Sequence, residues 1–185
     1  MSRVSAVDRA AWALQTGGVV AYPTESVFGL GCDPLEATAV ARILAIKRRS
    51  VESGLILLAA DVAQLEAFIR PAPAERERML ASWPGPVTWV VAATPAAPAW
   101  VTGGRDTIAV RVTAEPLAAA LCRRAGMAIV STSANRSSRP PARNTLQTRR
   151  RFAAVVDQIL PGAVGGHARP TEIRLASSGR ILRAG

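Results

Sequence analysis

Apolar and polar positions follow two rhythms along this chain, and each change of rhythm marks an element. Residues 6–15, AVDRAAWALQ, repeat at helical spacing with Trp12 and Leu14 among the apolar positions, and Gly17 or Gly18 offers a left-handed stop. GVVAYP (18–23) is short, β-branched and closed by Pro23, a strand, and TESVFGLGCDP (24–34) reads as a glycine-punctuated loop. PLEATAVARILAIKRR (34–49) returns to helical spacing through Val40, Ile43, Leu44 and Ile46, with basic residues at the end that the helix macrodipole favours. GLILLAA (54–60) is a continuous apolar run, as in a strand covered on both faces. DVAQLEAFI (61–69) predicts a helix capped by Asp61, and ERERMLASW (75–83) predicts another.

Pro84, Gly85 and Pro86 break the chain before a strand rich in Val and Trp. TIAVRVT (107–113) alternates cleanly: Ile108, Val110 and Val112 face one way, and Thr107, Ala109 and Arg111 the other. EPLAAALCRRAG (115–126) is a helix ended by Gly126. MAIVSTSAN (127–135) is a strand that turns polar, with Ser131, Ser133 and Asn135 on one side of an extended chain. NTLQTRRRFAAVV (144–156) predicts a helix, and PTEIRLASSGRILRAG (170–185) a closing hairpin turning at Ser178 and Gly179. Strands and helices intermingle without strict alternation, which favours a mixed α/β or α+β sheet. No repeat or long linker interrupts the 185 residues, so one domain over 1–185 is expected.

Charge changes this picture most. The net charge of +10 gives a positive potential that attracts phosphate, whether on a nucleotide, an RNA or an acidic membrane surface. The run Arg149, Arg150, Arg151 fits a solvated helix face or an RNA contact. With one Tyr, four Trp and three Phe, there is no aromatic-basic pattern of the kind that stacks single-stranded bases. No charge-free apolar run approaches the roughly 20 residues that span a bilayer, and the opening stretch, with Asp8, lacks a secretory pattern. A cytoplasmic protein is expected. Cys32, Cys122 and His167 stand apart, which suggests neither a disulfide scaffold nor a zinc site.

Lys47 is the single lysine among 23 basic residues. An ammonium differs from a guanidinium where a compact point charge must thread between other groups or reach a phosphate. No GxxxxGK[ST] loop, complete GxGxxG or GxSxG elbow is present. What remains is a set of polar groups at element ends: Thr24 and Ser26, Lys47 and Arg49, Arg111, and the STSAN turn. Their cations, hydroxyls and amides suit a triphosphate together with a small zwitterion.

AYPTESVFGLGCDP, Lys47-Arg48-Arg49, GLILLAA, WPGPVTWVV, IAVRVT, VSTSAN, PTEIR and ILRAG stand in the order expected of the YrdC/TsaC family, the threonylcarbamoyl-AMP synthases, which this chain therefore resembles over nearly its whole length. The length is similar to the short bacterial type. The resemblance implies an open, twisted sheet with flanking helices and a basic central groove. It also implies a reaction joining L-threonine, bicarbonate and ATP, with Mg²⁺ bridging phosphate oxygens, into threonylcarbamoyl-adenylate and pyrophosphate. The threonylcarbamoyl group then passes, through partner proteins, to an adenosine beside the anticodon of tRNA. Catalytic roles fall by resemblance on Lys47, Arg49, Ser133 and Asn135; Thr107, Pro141 and Arg183 would join these four at the nucleotide. Thr24 or Ser26, Arg111, Ser131 and Thr171 would line the threonine pocket. Two departures stand out: Ser53 replaces a basic residue common before the GLILL strand, and SANRSSRP replaces SANxSG. Rival readings are a non-catalytic RNA-binding or ribosome-assembly module using the same groove, and a carbamoyl-transfer domain like a segment of HypF proteins.

Overall fold

The computed structural model describes residues 4–167 and 170–185. Helix α1 (Ala6–Gln15) starts at Ser5, whose hydroxyl accepts from the Asp8 amide while the Asp8 carboxylate accepts from the Ser5 amide. Strands β1 (Val20–Pro23) and β2 (Phe28–Gly31) form a hairpin that pairs Tyr22 with Gly29 and Val20 with Gly31. Helix α2 (Ala37–Lys47) follows, then β3 (Ile56–Ala59), α3 (Pro73–Leu80), β4 (Val87–Ala92), the single turn α4 (Ala99–Thr102) and β5 (Thr107–Val112). The chain continues through α5 (Pro116–Ala125), β6 (Ile129–Ser133), α6 (Thr145–Phe152), β7 (Gln158–Ile159), β8 (Glu172–Leu175) and β9 (Ile181–Arg183). Among the described residues the strands make one mixed nine-stranded sheet in the order β7-β1-β2-β6-β3-β5-β4-β8-β9.

Each face of the sheet has its own core. On one, Leu30, Leu57, Val110, Val130 and Trp89 meet Val40 and Ile43 of α2. On the other, Val20, Tyr22, Leu58 and Ile129 pack under Leu14 of α1 and Leu121 of α5. That second face also carries, by strand alternation, Ser131, Ser133, Ala109 and Arg111, and there no helix covers it. The groove is the stretch of this face beyond the reach of α1 and α5.

Two segments depart from the sequence expectation. FGLG, read as loop, is the strand β2, because bare backbone is what the position requires. A Cβ on Gly31 would stand 2.5 Å from the Val130 carbonyl and 2.9 Å from the Tyr22 ring, so the two glycines make a shelf for that ring. Residues 61–69, read as a helix, form a single 3₁₀ turn at Val62–Gln64 and further turns, ending in a bridge from Ile69 to Ala93. Asp61 does cap that turn, but the Gln64 side chain reaches back to the Ala60 amide and across to the Cys122 carbonyl, tying the segment to α5. Strand β7 and turn α4 went unread. The C-terminal hairpin is present, with Gly179 at φ +74° in its turn.

Candidate active site

A cavity of about 340 Å³ opens on the uncovered sheet face, and a second of about 240 Å³ continues it toward β4. Ile56 and Arg183 line both, which makes one trough. The first holds Thr24, Ser26, Arg111, Ser131, Ser133, Pro141, Thr171 and Arg183 from the expected set, and the second holds Arg49 and Thr107. Lys47 and Asn135 line neither; they stand behind the wall that Ser133 forms.

At the first end, the β1–β2 turn is closed by Thr24, whose hydroxyl and amide both donate to the Val27 carbonyl. Tyr22, flat on its glycine shelf, donates through its phenol to Ser131 Oγ at 2.8 Å. Burial raises the Tyr22 pKa, so this phenol remains a neutral donor. Arg111 sits on β5 beneath the cavity with 5% of its surface exposed. Its Nη1 donates to Thr171 Oγ1 at 2.5 Å and Thr88 Oγ1 at 3.3 Å, while its Nη2 lies 3.3 Å from Glu25 Oε2. The clean alternation of TIAVRVT aimed Arg111 off the apolar face, and the structure adds that this other face is itself enclosed.

At the other end, Arg49 donates through Nη2 to the Ser53 and Gly54 carbonyls, and its buried Nε has no hydrogen-bond partner among the described residues. Arg183, from β9, donates to the Thr171 carbonyl at 2.7 Å. Burial lowers the pKa of both, with the charge of Arg105 adding to it at Arg49, and the charges of Arg111 and Arg49 at Arg183. Mutually felt cations along one trough create a field that an anion relieves.

Lys47 is 3% exposed at the last turn of α2. Its ammonium donates to the Ser133 carbonyl, and at 3.0 and 3.2 Å to the carbonyl and Oδ1 of Asn135. Ser133 Oγ donates to the same Oδ1 at 2.6 Å, and the Asn135 amide nitrogen donates to the Arg136 and Arg139 carbonyls. In return Ser137 donates through its amide and hydroxyl to the Lys47 carbonyl, capping α2 where Arg48 turns left-handed at φ 53°. The helix end and the serine turn thus hold each other. Burial, then the Arg49 charge, pulls the Lys47 pKa down to about 8. The sequence reading assigns this ammonium to a triphosphate; in the structure its hydrogen bonds go to oxygens of the turn that presents Ser133.

Sequence reasoning missed Glu25, Thr88, Thr113 and the phenol of Tyr22. Glu25 had one available signal, being the sole acid in the polar PTES stretch at a strand end, but only tertiary packing brings it to Arg111.

A family model described as "Telomere recombination" and covering Sua5, YciO and YrdC proteins matches residues 12–185. The chain belongs to the Sua5/YciO/YrdC family. Over 178 residues, 96% of the chain and 93% of the relative, it is 58% identical to a protein of Halorhodospira halophila named threonylcarbamoyl-AMP synthase. A protein of Nitrosococcus oceani with the same name is 55% identical over 178 residues, 96% of each chain. Among solved structures, P. abyssi Sua5 complexed with L-threonine superposes with a TM-score of 0.89 at 32% identity, over 96% of this chain. The chain spans 53% of that longer Sua5 protein. The basic groove and open mixed sheet expected of this family are the ones described above.

Proposed function

We propose that this Sua5/YciO/YrdC chain is an L-threonylcarbamoyl-adenylate synthase, formed as one domain over residues 1–185. The carrying observation is a single trough with a buried arginine among hydroxyls at one end and paired cations at the other, in a chain 58% identical to a protein bearing that name. A zwitterion fits the first end: Arg111 offers donors to a carboxylate, and Ser131, Thr24 and Ser26 offer small polar groups to an ammonium and hydroxyl. Phosphates fit the second, between Arg49 and Arg183, with Thr107, Pro141 and Ser133 bordering the nucleotide and Asn135 behind Ser133.

The threonine ammonium gives up one proton to solvent, the free amine bonds to the carbon of CO₂ derived from bicarbonate, and a second proton leaves the nitrogen, giving a carbamate. A carbamate oxygen then bonds to the α-phosphorus as the bond to the pyrophosphate oxygen breaks. The protein's task is to hold anions side by side and offset their charge, which is positioning and electrostatics rather than covalent catalysis. Lys47 and Asn135 serve by fixing Ser133. Mg²⁺ would arrive with ATP, and hydroxyl oxygens such as Ser133 Oγ are the hard donors that the trough wall offers it. The ion would shield charge on the phosphates.

The working place is the cytoplasm, where ATP and tRNA are found. Among the described residues no helix is long and apolar enough to cross a membrane. The downstream partners are tRNA and the proteins that transfer the threonylcarbamoyl group. Arg48, Arg136, Arg139 and Arg151 edge two hollows that share Phe152, a surface suited to the phosphates of an RNA. A purely RNA-binding module is disfavoured by the relatives' names. The deciding assay is pyrophosphate release with each substrate omitted in turn. Release must require ATP, L-threonine and bicarbonate together, and release without threonine counts against the reading.

A further inference from the structure

Glu25 is buried, with 3% of its surface exposed, on the turn between β1 and β2. Its neighbours Thr24 and Ser26 line the cavity, whereas its own side chain turns beneath the wall. There its two oxygens meet two residues of one chain segment. Oε2 lies 3.3 Å from Arg111 Nη2, and Oε1 accepts from Thr113 Oγ1 at 2.6 Å. Positions two apart in extended chain face the same side, so one carboxylate spans both. Thr113 is itself oriented, since its oxygen accepts from the Glu115 amide at 3.0 Å.

We propose that Glu25 is a positioning residue for the amino-acid end of the site: it fixes the Arg111 guanidinium beneath the cavity so that the donors left over meet the substrate carboxylate squarely. The inference rests on the reading that this end takes L-threonine. An arginine side chain has four rotatable bonds, and recognition of a carboxylate by a planar fork depends on the plane of the fork. Here that plane is held from three separated segments, by Glu25, Thr88 and Thr171. Of the three, only Glu25 brings charge, and a buried guanidinium without a counter-charge either moves or destabilises its surroundings. Arg111 Nε and Glu25 Oε2 are both buried without a hydrogen-bond partner among the described residues, so Glu25 holds the guanidinium through charge and not through a hydrogen bond.

Residue 25 serves two neighbours at once, as a counter-charge 3.3 Å from Arg111 Nη2 and as an acceptor for the Thr113 hydroxyl. Glutamine keeps the shape and an acceptor but carries no charge, so Glu25→Gln removes the attraction that holds Arg111. The test is steady-state pyrophosphate release by Glu25→Gln, Thr113→Val and Thr113→Ser, with rates normalised to folded protein by thermal unfolding. Glu25→Gln is expected to raise KM for L-threonine at least tenfold while KM for ATP stays within twofold. Thr113→Val shifts the same KM by about threefold, Thr113→Ser restores it, and the Glu25→Gln/Thr113→Val double variant is no worse than Glu25→Gln. Unchanged KM for threonine with only a lowered melting temperature overturns the positioning role and leaves the synthase reading intact. A fall in KM overturns it equally. Absence of threonine-dependent release in the wild type would remove both.

Discussion

Replacing Lys47 by methionine tests whether the ammonium frames the serine turn. Methionine is about as long and apolar, so packing is preserved while all three hydrogen bonds vanish. The Ser133 and Asn135 carbonyls then lose their shared donor, and Asn135 Oδ1 keeps only the Ser133 hydroxyl. The Ser133 carbonyl keeps the Asn135 amide at 2.9 Å, so one carbonyl, that of Asn135, is left unpaired, at a gross cost of about 1–3 kcal/mol. The Lys47 pKa is pulled down to about 8 by burial first, so burial works against the charge and removing it returns part of that penalty. A net loss of about 1 kcal/mol is expected, which in a chain of this length lowers the melting temperature by about 3 °C. Thermal unfolding without nucleotide, beside pyrophosphate release, reads both consequences: a lowered midpoint and lost activity together. Were the ammonium only a phosphate contact, deleting a buried charge would leave the nucleotide-free protein equally or more stable. An unchanged or raised midpoint with lost activity therefore refutes the framing role.

The same ammonium sets an alkaline limit, since above about pH 8 a neutral amine keeps two hydrogens for three acceptors; kcat/KM for ATP should fall through that range, and a profile flat to pH 9.5 counts against it. Its effect on stability has the opposite sign: the folded-state pKa lies below the ordinary 10.5, so the cost of burying the charge is full below pH 8 and is relieved between 8 and 10.5. Gly31→Ala forces a methyl against the Val130 carbonyl and the Tyr22 ring; about 3 kcal/mol of stability should be lost, and a midpoint in urea equal to wild type would disprove the shelf. The Ser5 hydroxyl and then Arg124 hold the Asp8 carboxyl down at about 2, so its contribution is present above pH 4 and lost as pH falls toward 2. Asp8→Asn should accordingly flatten the acid limb of a stability–pH curve and leave pH 7 activity unaltered.

Much of the fold was legible because hydrophobic spacing is a local property. The rhythm of 6–15 and 34–49, the apolar run of β3, the alternation of β5 and the glycine turn of the final hairpin each follow from which positions one element must bury. Charge was legible too: +10 foretold a positive potential, and the structure gathers Arg49, Arg105, Arg111 and Arg183 along one trough. What local pattern does not carry is which partner a residue meets. FGLG is a strand only because a tyrosine ring and a neighbouring carbonyl fill the space where side chains would stand. Residues 61–69 have helical spacing, yet Gln64 finds α5 more favourable than another turn. The trough brings Thr24, Arg111, Ser133 and Arg183 together from four distant stretches, and the structure alone put Lys47 behind its wall and Glu25 beneath its floor. Periodicity specifies the face a side chain takes, whereas ion pairs and shared cavities depend on distances between segments far apart in the chain, which only the assembled sheet sets.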